Sequence, residues 1–354
     1  MADRAETDGR SSWDRPKKGR TAATRSPVHA LSLLLACLAC AIAAAPAAAA
    51  DPQFDCQDQN TSDDTATPWF DGHYAPSLAL SRSLLDRHIP QGLATWPSYF
   101  GAGQDLLVYS AYNQVNDGAG GRARIQGIDP RDGSLTNYAQ LRASHAGGVA
   151  VVGRWVFVAD ANNTVYRYRA DRVAAIFRGQ RHPDTLDGAP AGTVVGAGFL
   201  TSDGQSLWAG TFNQNGLGVM HRYTVDGSGN LHAAGGNIEV PKKTQGLLVL
   251  PNYFVFSTSF GRTNRSNIYV VKRGYPNLAT SYRNGNLRCV RAPTMSEGVA
   301  ITGDRVYQLF ESGADCYRYG EPDCGPPGAP TRVITHLYST PRTALVKGLP
   351  VFPH

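Results

Sequence analysis

One short motif recurs five times along this chain, at intervals of about fifty residues. In each copy a glycine precedes a short apolar strand, a turn and a second strand that contains an aromatic residue. The glycines are Gly92, Gly148, Gly198, Gly246 and Gly298, and the aromatic residues are Tyr109, Phe157, Trp208, Phe256 and Tyr307. A chain with this periodicity repeats one supersecondary unit five times.

Each unit has room for two further strands. Third strands are predicted in all five units, the last at Arg332–Tyr338, and Asp132-Gly133 and Asn284-Gly285 supply hairpin turns. Radially arranged four-stranded units of this length are typical of a β-propeller. We therefore predict an all-β fold, a five-bladed β-propeller over residues 79–354. A sandwich of irregular hairpins is the alternative, but it does not explain the even spacing.

The segment before the first unit supplies the expected ring closure. Leu84–His88 resembles the fourth strands but has no earlier unit to join, so it is predicted to complete the fifth blade as an N-terminal closing strand. Residues 51–78 are predicted to be an extended lead-in on the surface. No helical segment stands out, and the sequence allows one or two helical turns around Ala170–Phe177.

The first fifty residues have the pattern of a secretory signal peptide. A basic leader precedes an apolar stretch from Ala30 to Ala45, and an alanine run ends before Asp51. We therefore expect an extracellular protein. An N-terminal membrane anchor and lipid attachment at Cys37 are the alternatives.

Four cysteines remain beyond that leader, namely Cys56, Cys289, Cys316 and Cys324. An even number in an exported chain predicts two disulfides, and four cysteines allow three pairings. The short spacing favours Cys316 with Cys324, which leaves Cys56 for Cys289. A zinc site is the competing interpretation.

The charge balance excludes several partners. The full chain has a net charge of +6, and residues 51–354 carry 27 Lys and Arg against 24 Asp and Glu. This mild surplus without basic clusters predicts neither nucleic acid nor an anionic membrane as partner. No metal, nucleotide or cofactor motif is present, so no metal and no cofactor are expected, and a monomer is predicted.

Polar residues next to the motif glycines form the candidate site. In a propeller the starts of the inner strands converge at one mouth of the central channel, where Gln91, Gln245 and Glu297 precede their glycines and His145 lies nearby. Glu297 is the candidate catalytic residue, because burial in a narrow mouth would raise its pKa. Gln245, Gln91 and His145 are the candidate binding residues. Glu297 and Gln245 could instead only hydrogen-bond backbone and water in the channel.

The last two motifs carry a family resemblance. Thr244-Gln245-Gly246 and Ser296-Glu297-Gly298 resemble consecutive blades of the plant-type glutaminyl cyclases. The resemblance implies a secreted five-bladed propeller that converts an N-terminal glutamine to pyroglutamate with loss of ammonia. It implies that Glu297 is the acid/base and that Gln245 helps to hold the substrate. The aromatic cage of that family is not reproduced; its positions carry Lys243, Met295, Glu311 and Gln91.

Three functions therefore remain open from the sequence. The channel mouth could bind a small ligand, a glycan or the end of a peptide. The protein could be a glutaminyl-peptide cyclotransferase-like enzyme. It could also be an interaction scaffold that uses the rim loops Tyr112–Arg122 and Glu311–Arg332.

Overall fold

Five separate four-stranded antiparallel sheets make up a computed structural model of this protein. The structure describes residues 68–114, 121–182, 185–274, 277–320, 324 and 328–347. The sheets are the blades of a five-bladed β-propeller, as the repeat predicts.

The first four blades each consist of four consecutive strands. Blade 1 contains β2 (His88–Trp96), β3 (Leu106–Asn113), β4 (Arg122–Ile128) and β5 (Leu135–Ala143). Blade 2 contains β6 (Val149–Val152), β7 (Trp155–Ala159), β8 (Thr164–Arg169) and β9 (Ala189–Thr193). Blade 3 contains β10 (Phe199–Ser202), β11 (Leu207–Gly210), β12 (Gly218–Val225) and β13 (Leu231–Val240). Blade 4 contains β14 (Thr244–Val249), β15 (Tyr253–Thr258), β16 (Ser266–Lys272) and β17 (Leu287–Ala292).

Blade 5 joins the two ends of the described chain. Its strands run in the order β18 (Ser296–Thr302), β19 (Arg305–Phe310), β20 (His336–Pro341) and β1 (Ala75–Ala79). The helices are short: α1 (Pro68–His73), α2 (Arg82–Leu85), α3 (Ala170–Phe177), α4 (Leu278–Arg283), α5 (Asp315–Arg318) and α6 (Arg342–Lys347). The helical turns that the sequence allows around Ala170–Phe177 are present as α3.

The ring is closed by an N-terminal strand, as predicted, but the strand is β1 and not Leu84–His88. β1 pairs antiparallel with β20, with Ala75 opposite Ser339. Leu84 and Leu85 are both buried in the cluster between blades 5 and 1, and consecutive residues of a strand would face opposite sides. A helical turn buries both leucines, so the segment forms α2.

The third strand of blade 5 also begins later than predicted. The backbone groups of Ile334 and Thr335 bond outside the ladder: the Ile334 N–H donates to Ser312 Oγ at 3.2 Å, and the Leu80 N–H donates to Thr335 O at 3.0 Å. The ladder with β19 therefore starts only at β20.

Alternation along each strand explains how neighbouring blades pack. In β3, Leu107 lies in the apolar cluster between blades 5 and 1, whereas Val108 lies in the cluster between blades 1 and 2. Each of the other three blade interfaces is likewise filled by one apolar cluster. The aromatic residues of the second strands lie in these interfaces, as their positions predict. Both faces of every blade are therefore apolar.

Inner strands approach one another too closely for side chains at the motif glycines. A Cβ atom on Gly298 would lie within 3.0 Å of Leu93 N in the next blade. The same holds for Gly92, Gly148 and Gly246 against the backbone of their neighbouring inner strands. Backbone-to-backbone contact around the axis therefore requires glycine at these positions.

We expect Gly298→Ala to lower the free energy of unfolding by about 1–3 kcal/mol, because the added methyl group forces the inner strands of blades 5 and 1 apart. Urea denaturation followed by circular dichroism measures this. The matched control is Gly236→Ala in β13, where a Cβ would meet nothing within 4 Å. Equal stability of the two variants would contradict the role of the glycine.

Candidate functional site

Three inner strands begin with an irregularity in pairing that places one side chain at the channel mouth or next to it. The register shifts between Pro90 and Leu93, between Thr244 and Gly246, and between Ser296 and Val299. Such bulges leave a residue outside the ladder and redirect its side chain. The residues placed there are Gln91, Gln245 and Glu297.

Two residues with left-handed backbone, each shortly before an inner strand, bind the residues that follow two second strands. Lys243 and Met295 have φ angles of 62° and 64°, a conformation that costs free energy for residues other than glycine. Their carbonyls accept hydrogen bonds from Ser259 N at 2.9 Å and from Glu311 N at 3.0 Å. These bonds fix Glu311 beside the starts of the inner strands.

A cavity of ≈ 440 Å³ occupies the mouth. Of the four predicted site residues, Gln91, Gln245 and His145 line it, while Glu297 is not in the lining, is only 1 % exposed and contacts the lining residue Gln245. The other lining residues come mostly from the ends of second strands and from rim loops: Tyr112, Gly198, Phe212, Ser259, Phe260, Gly261, Arg262, Met295, Glu311, Tyr317 and Cys324. The structure thus brings the four predicted residues to one region.

Two carboxyl–carboxamide pairs form the polar part of the site. Gln245 Nε2 donates to Glu297 Oε1 at 3.1 Å, and Gln91 Nε2 donates to Glu311 Oε2 at 2.8 Å. The second oxygen of Glu297, Oε2, is buried and has no hydrogen-bond partner within the described residues. An unpaired buried carboxylate oxygen is costly, whereas a protonated carboxyl group lowers that cost.

Burial raises the pKa of Glu297 well above its ordinary value of 4.5, and the negative charge of Glu311 raises this pKa further. The hydrogen bond from Gln245 acts in the opposite direction, but it is the weaker influence on this pKa. Glu297 is therefore a carboxyl group that keeps its proton at a higher pH than an exposed glutamate.

The bulge at Glu297 is held by a buried glutamine. Gln308 Nε2 donates to the carbonyl oxygens of Glu297 and Gly298 at 2.9 and 3.2 Å, and to Ser257 Oγ at 3.0 Å. Ser257 Oγ and Ser296 Oγ are 2.8 Å apart. This network satisfies carbonyls that the ladder leaves unpaired, and so fixes the backbone that carries Glu297.

Aromatic rings form two walls of the cavity. His145 stacks on Tyr112 with ring centroids 4.5 Å apart, and Tyr112 Oη is 2.9 Å from Tyr317 Oη. On the other wall Phe212 and Phe260 have centroids 6.2 Å apart. The cavity therefore offers flat apolar surfaces beside its carboxyl and carboxamide groups.

A disulfide closes the rim loop after β19. Cys316 and Cys324 are bonded, with their Cα atoms 5.9 Å apart, as the spacing predicts. The buried Arg262 guanidinium donates to Cys324 O at 2.6 Å and to Gly328 O at 2.8 Å, and lies 4.8 Å from the Tyr317 ring. Cys289 is also disulfide-bonded; Cys56, its predicted partner, lies outside the described residues, as does the predicted leader.

The sequence predicts three residues of the cavity lining, Gln91, Gln245 and His145, and misses most of the others. Glu311, Phe212, Phe260 and Tyr317 were not among the candidates, although Glu311 follows the second strand of its blade directly. The same repeat that aligned the strand starts also aligns these strand ends. A search one strand further along each unit would have found Glu311.

Within the described ranges, no group of three or more His, Cys, Asp or Glu side chains could hold a metal ion. Over the same part of the chain, no helix combines the length and apolar character needed to cross a bilayer.

Comparisons with known proteins assign no family to this chain. No protein-family model and no curated protein matches the chain. Among solved structures, a nidogen/laminin complex is 12% identical, with 63% of this chain and 73% of that chain covered and a TM-score of 0.34. The RS223 β-xylosidase is 11% identical, with 75% and 94% covered and a TM-score of 0.39. The Dos1 propeller is 9% identical, with 68% and 71% covered and a TM-score of 0.29.

The pKa of Glu297 predicts a pH dependence of stability. A carboxyl group whose folded pKa is raised binds its proton more tightly in the folded state, so stability falls as the pH rises from about 4.5 through the folded pKa. We expect Glu297→Gln to lose this decline, as measured by urea denaturation across a pH series.

The difference between wild type and variant isolates Glu297 from His88, whose pKa burial lowers to about 4 and which contributes with the opposite sign. Asp304→Asn, at an exposed turn, is the control and should retain the wild-type curve. Parallel curves for wild type and Glu297→Gln would show that the pKa of Glu297 is not raised.

Proposed function

We propose that this protein is an exported β-propeller that binds a small ligand or peptide end with a protonated amine at the channel mouth. The observation that carries the proposal is the pair of carboxyl groups, Glu297 and Glu311, each held by a glutamine beside one cavity. Carboxylates and carboxamide oxygens accept hydrogen bonds from an ammonium group, and charge-assisted bonds of this kind are strong.

The cations at the mouth do not favour an anionic ligand. Both guanidinium contacts of Arg262 go to backbone carbonyls of the rim loop. Lys243 Nζ lies 5.5 Å from the centre of the Phe260 ring. Arg262 lines the cavity as Glu311 does, but its guanidinium hydrogen bonds go to the protein's own backbone, whereas Glu311 adds a negative charge to the lining.

The aromatic walls favour an amine that carries a flat or apolar group. Phe260 is 39% exposed, and Tyr112, Phe212 and Tyr317 line the same cavity. Burying a ring against such surfaces adds affinity, while the polar groups fix orientation. A glycan could also stack here, but it would leave the carboxyl groups without a cation.

Export is part of the proposal. Disulfide bonds at Cys289, Cys316 and Cys324 are typical of oxidising compartments, and residues 1–50 have the pattern of a signal peptide. Sequencing the amino terminus of protein recovered outside the cell tests it. A start near Asp51 is expected, an intact Met1 would contradict cleavage of the leader, and protein found only inside the cell would contradict export.

We expect benzylamine to bind and benzoate not to bind, because the two share a ring and differ in the sign of their charge. Isothermal titration calorimetry measures both. Glu311→Gln should weaken the binding of benzylamine by about ten- to a hundredfold, since a charge-assisted hydrogen bond is worth about 1.5–3 kcal/mol. Asp304→Asn should bind like wild type. Tighter binding of benzoate, or no effect of Glu311→Gln, would overturn the proposal.

A second candidate function is cyclisation of an N-terminal glutamine. The observation that favours it is the buried Glu297 carboxyl group, with Oε2 unpartnered and Oε1 bonded to Gln245. The substrate's amine nitrogen would attack the carbon of its side-chain amide, and the bond from that carbon to the amide nitrogen would break. Glu297 would give its proton to the leaving ammonia and then accept the proton that the attacking amine loses, which is general acid–base catalysis.

For that activity we expect a glutamine-initiated peptide to release ammonia and form pyroglutamate. Glu297→Gln should reduce the rate by about 10²–10⁴-fold, the typical contribution of a positioned acid–base group. The N-acetylated peptide, which lacks the nucleophilic amine, is the control. Equal background release by wild type and Glu297→Gln would exclude the cyclase.

A further inference from the structure

The buried carboxyl group at Glu297 has an acceptor site that the protein does not use. Oε1 is occupied by Gln245, but Oε2 is buried and unpartnered among the described residues. A neutral carboxyl group has a proton on one oxygen, and a carboxylate has an open lone pair at the same place. A proton and a hydrogen-bonding cation therefore have the same requirement at this atom.

Glu311 places a second negative charge near the Glu297 carboxyl group. Its carboxyl group lines the cavity and is the charged neighbour whose field acts on Glu297. Two carboxylates in a partly dry pocket repel each other, and a single positive charge between them relieves that repulsion. In the empty site a proton supplies this positive charge.

We infer that a proton and an ammonium group compete for the Glu297–Glu311 pair, so that binding of an amine expels a proton and tightens as the pH rises. This inference rests on the proposed amine-binding function and names how that function is regulated. In the exchange the O–H bond of Glu297 breaks, the proton passes to solvent, and an N–H of the ammonium donates to the carboxylate. One positive charge leaves the pair as another arrives.

The other charged groups around the mouth do not account for such an exchange. Lys243, ahead of β14, lies over Phe260, and Arg262, after β15, is bonded to the rim loop. His88, at the start of β2, is buried, and its pKa is lowered to about 4. His145, ahead of β6, stacks on Tyr112, and it is controlled by a His145→Gln variant in the experiment below.

The test is calorimetry of benzylamine in two buffers of different ionisation enthalpy, repeated over a pH series. We expect wild type to release up to one proton per amine bound, with affinity rising by at most about tenfold per pH unit below the pKa of the pair. Glu297→Gln should release no proton and should bind with an affinity that does not depend on pH. Asp304→Asn should behave like wild type. His145→Gln removes an imidazole from the cavity lining, and it should release the same proton per amine bound whatever its effect on affinity.

A second variant covers the case in which Glu297→Gln folds poorly. Glu311→Gln removes the neighbouring charge, so the proton should be held less tightly and the pH dependence should move to lower pH. An unmoved pH dependence in Glu311→Gln would overturn the coupling of the pair.

The outcomes separate this inference from the function on which it rests. Binding of benzylamine without proton release, at an affinity independent of pH, overturns the competition and leaves amine binding standing. No binding to wild type at any pH overturns amine binding and the competition together. Proton release that persists unchanged in Glu297→Gln also overturns the inference, because the proton would then come from another group.

Discussion

Close contact between the backbones of successive inner strands is the constraint on which this propeller depends. A side chain at Gly92, Gly148, Gly246 or Gly298 would overlap the neighbouring inner strand, so glycine in four of the five units lets the blades meet around a narrow axis. A Cβ on the fifth, Gly198, would instead meet the backbone of Phe212. Apolar clusters between the blades then stabilise what the glycines make sterically possible. The same glycines lie next to the bulges at Gln91, Gln245 and Glu297, and therefore the geometry that closes the ring also forms the site.

The sequence predicts the fold more completely than it predicts the candidate site. The repeat predicted the architecture and the second strands, and the short spacing of Cys316 and Cys324 predicted their disulfide, because each depends on local pattern and spacing. The closing strand was misplaced, because β1 is largely exposed and has no apolar alternation to mark it. Leu84 and Leu85 attracted the prediction instead, since their burial arises from tertiary packing between two blades.

The candidate site shows the same division. Position in the repeat was enough to predict that Gln91, Gln245 and Glu297 lie at one mouth and that burial would raise the pKa of Glu297. The partner of Gln91 was not predictable, because Glu311 reaches it only through the hydrogen bond to Met295 and the curvature of the ring. The cage positions named by the cyclase resemblance carry polar or flexible residues, while the aromatic rings of the cavity come from other loops. That difference affects which ligand the cavity can bind, and it does not affect the fold.

The antiparallel pairing of β1 with β20, here called the seam of blade 5, affects the lifetime of the folded state. Ser77 Oγ donates to Leu337 O at 2.9 Å across a sequence separation of 260 residues, so the seam forms only after nearly all of the domain is available. Such long-range pairing is slow to form. Once formed, it ties the first and last blades together, and unfolding must begin by breaking it or by opening a blade interface. We therefore expect the lifetime of the native state to depend on this one antiparallel pair, and a cut near β1 or β20 to shorten that lifetime more than a cut in a rim loop.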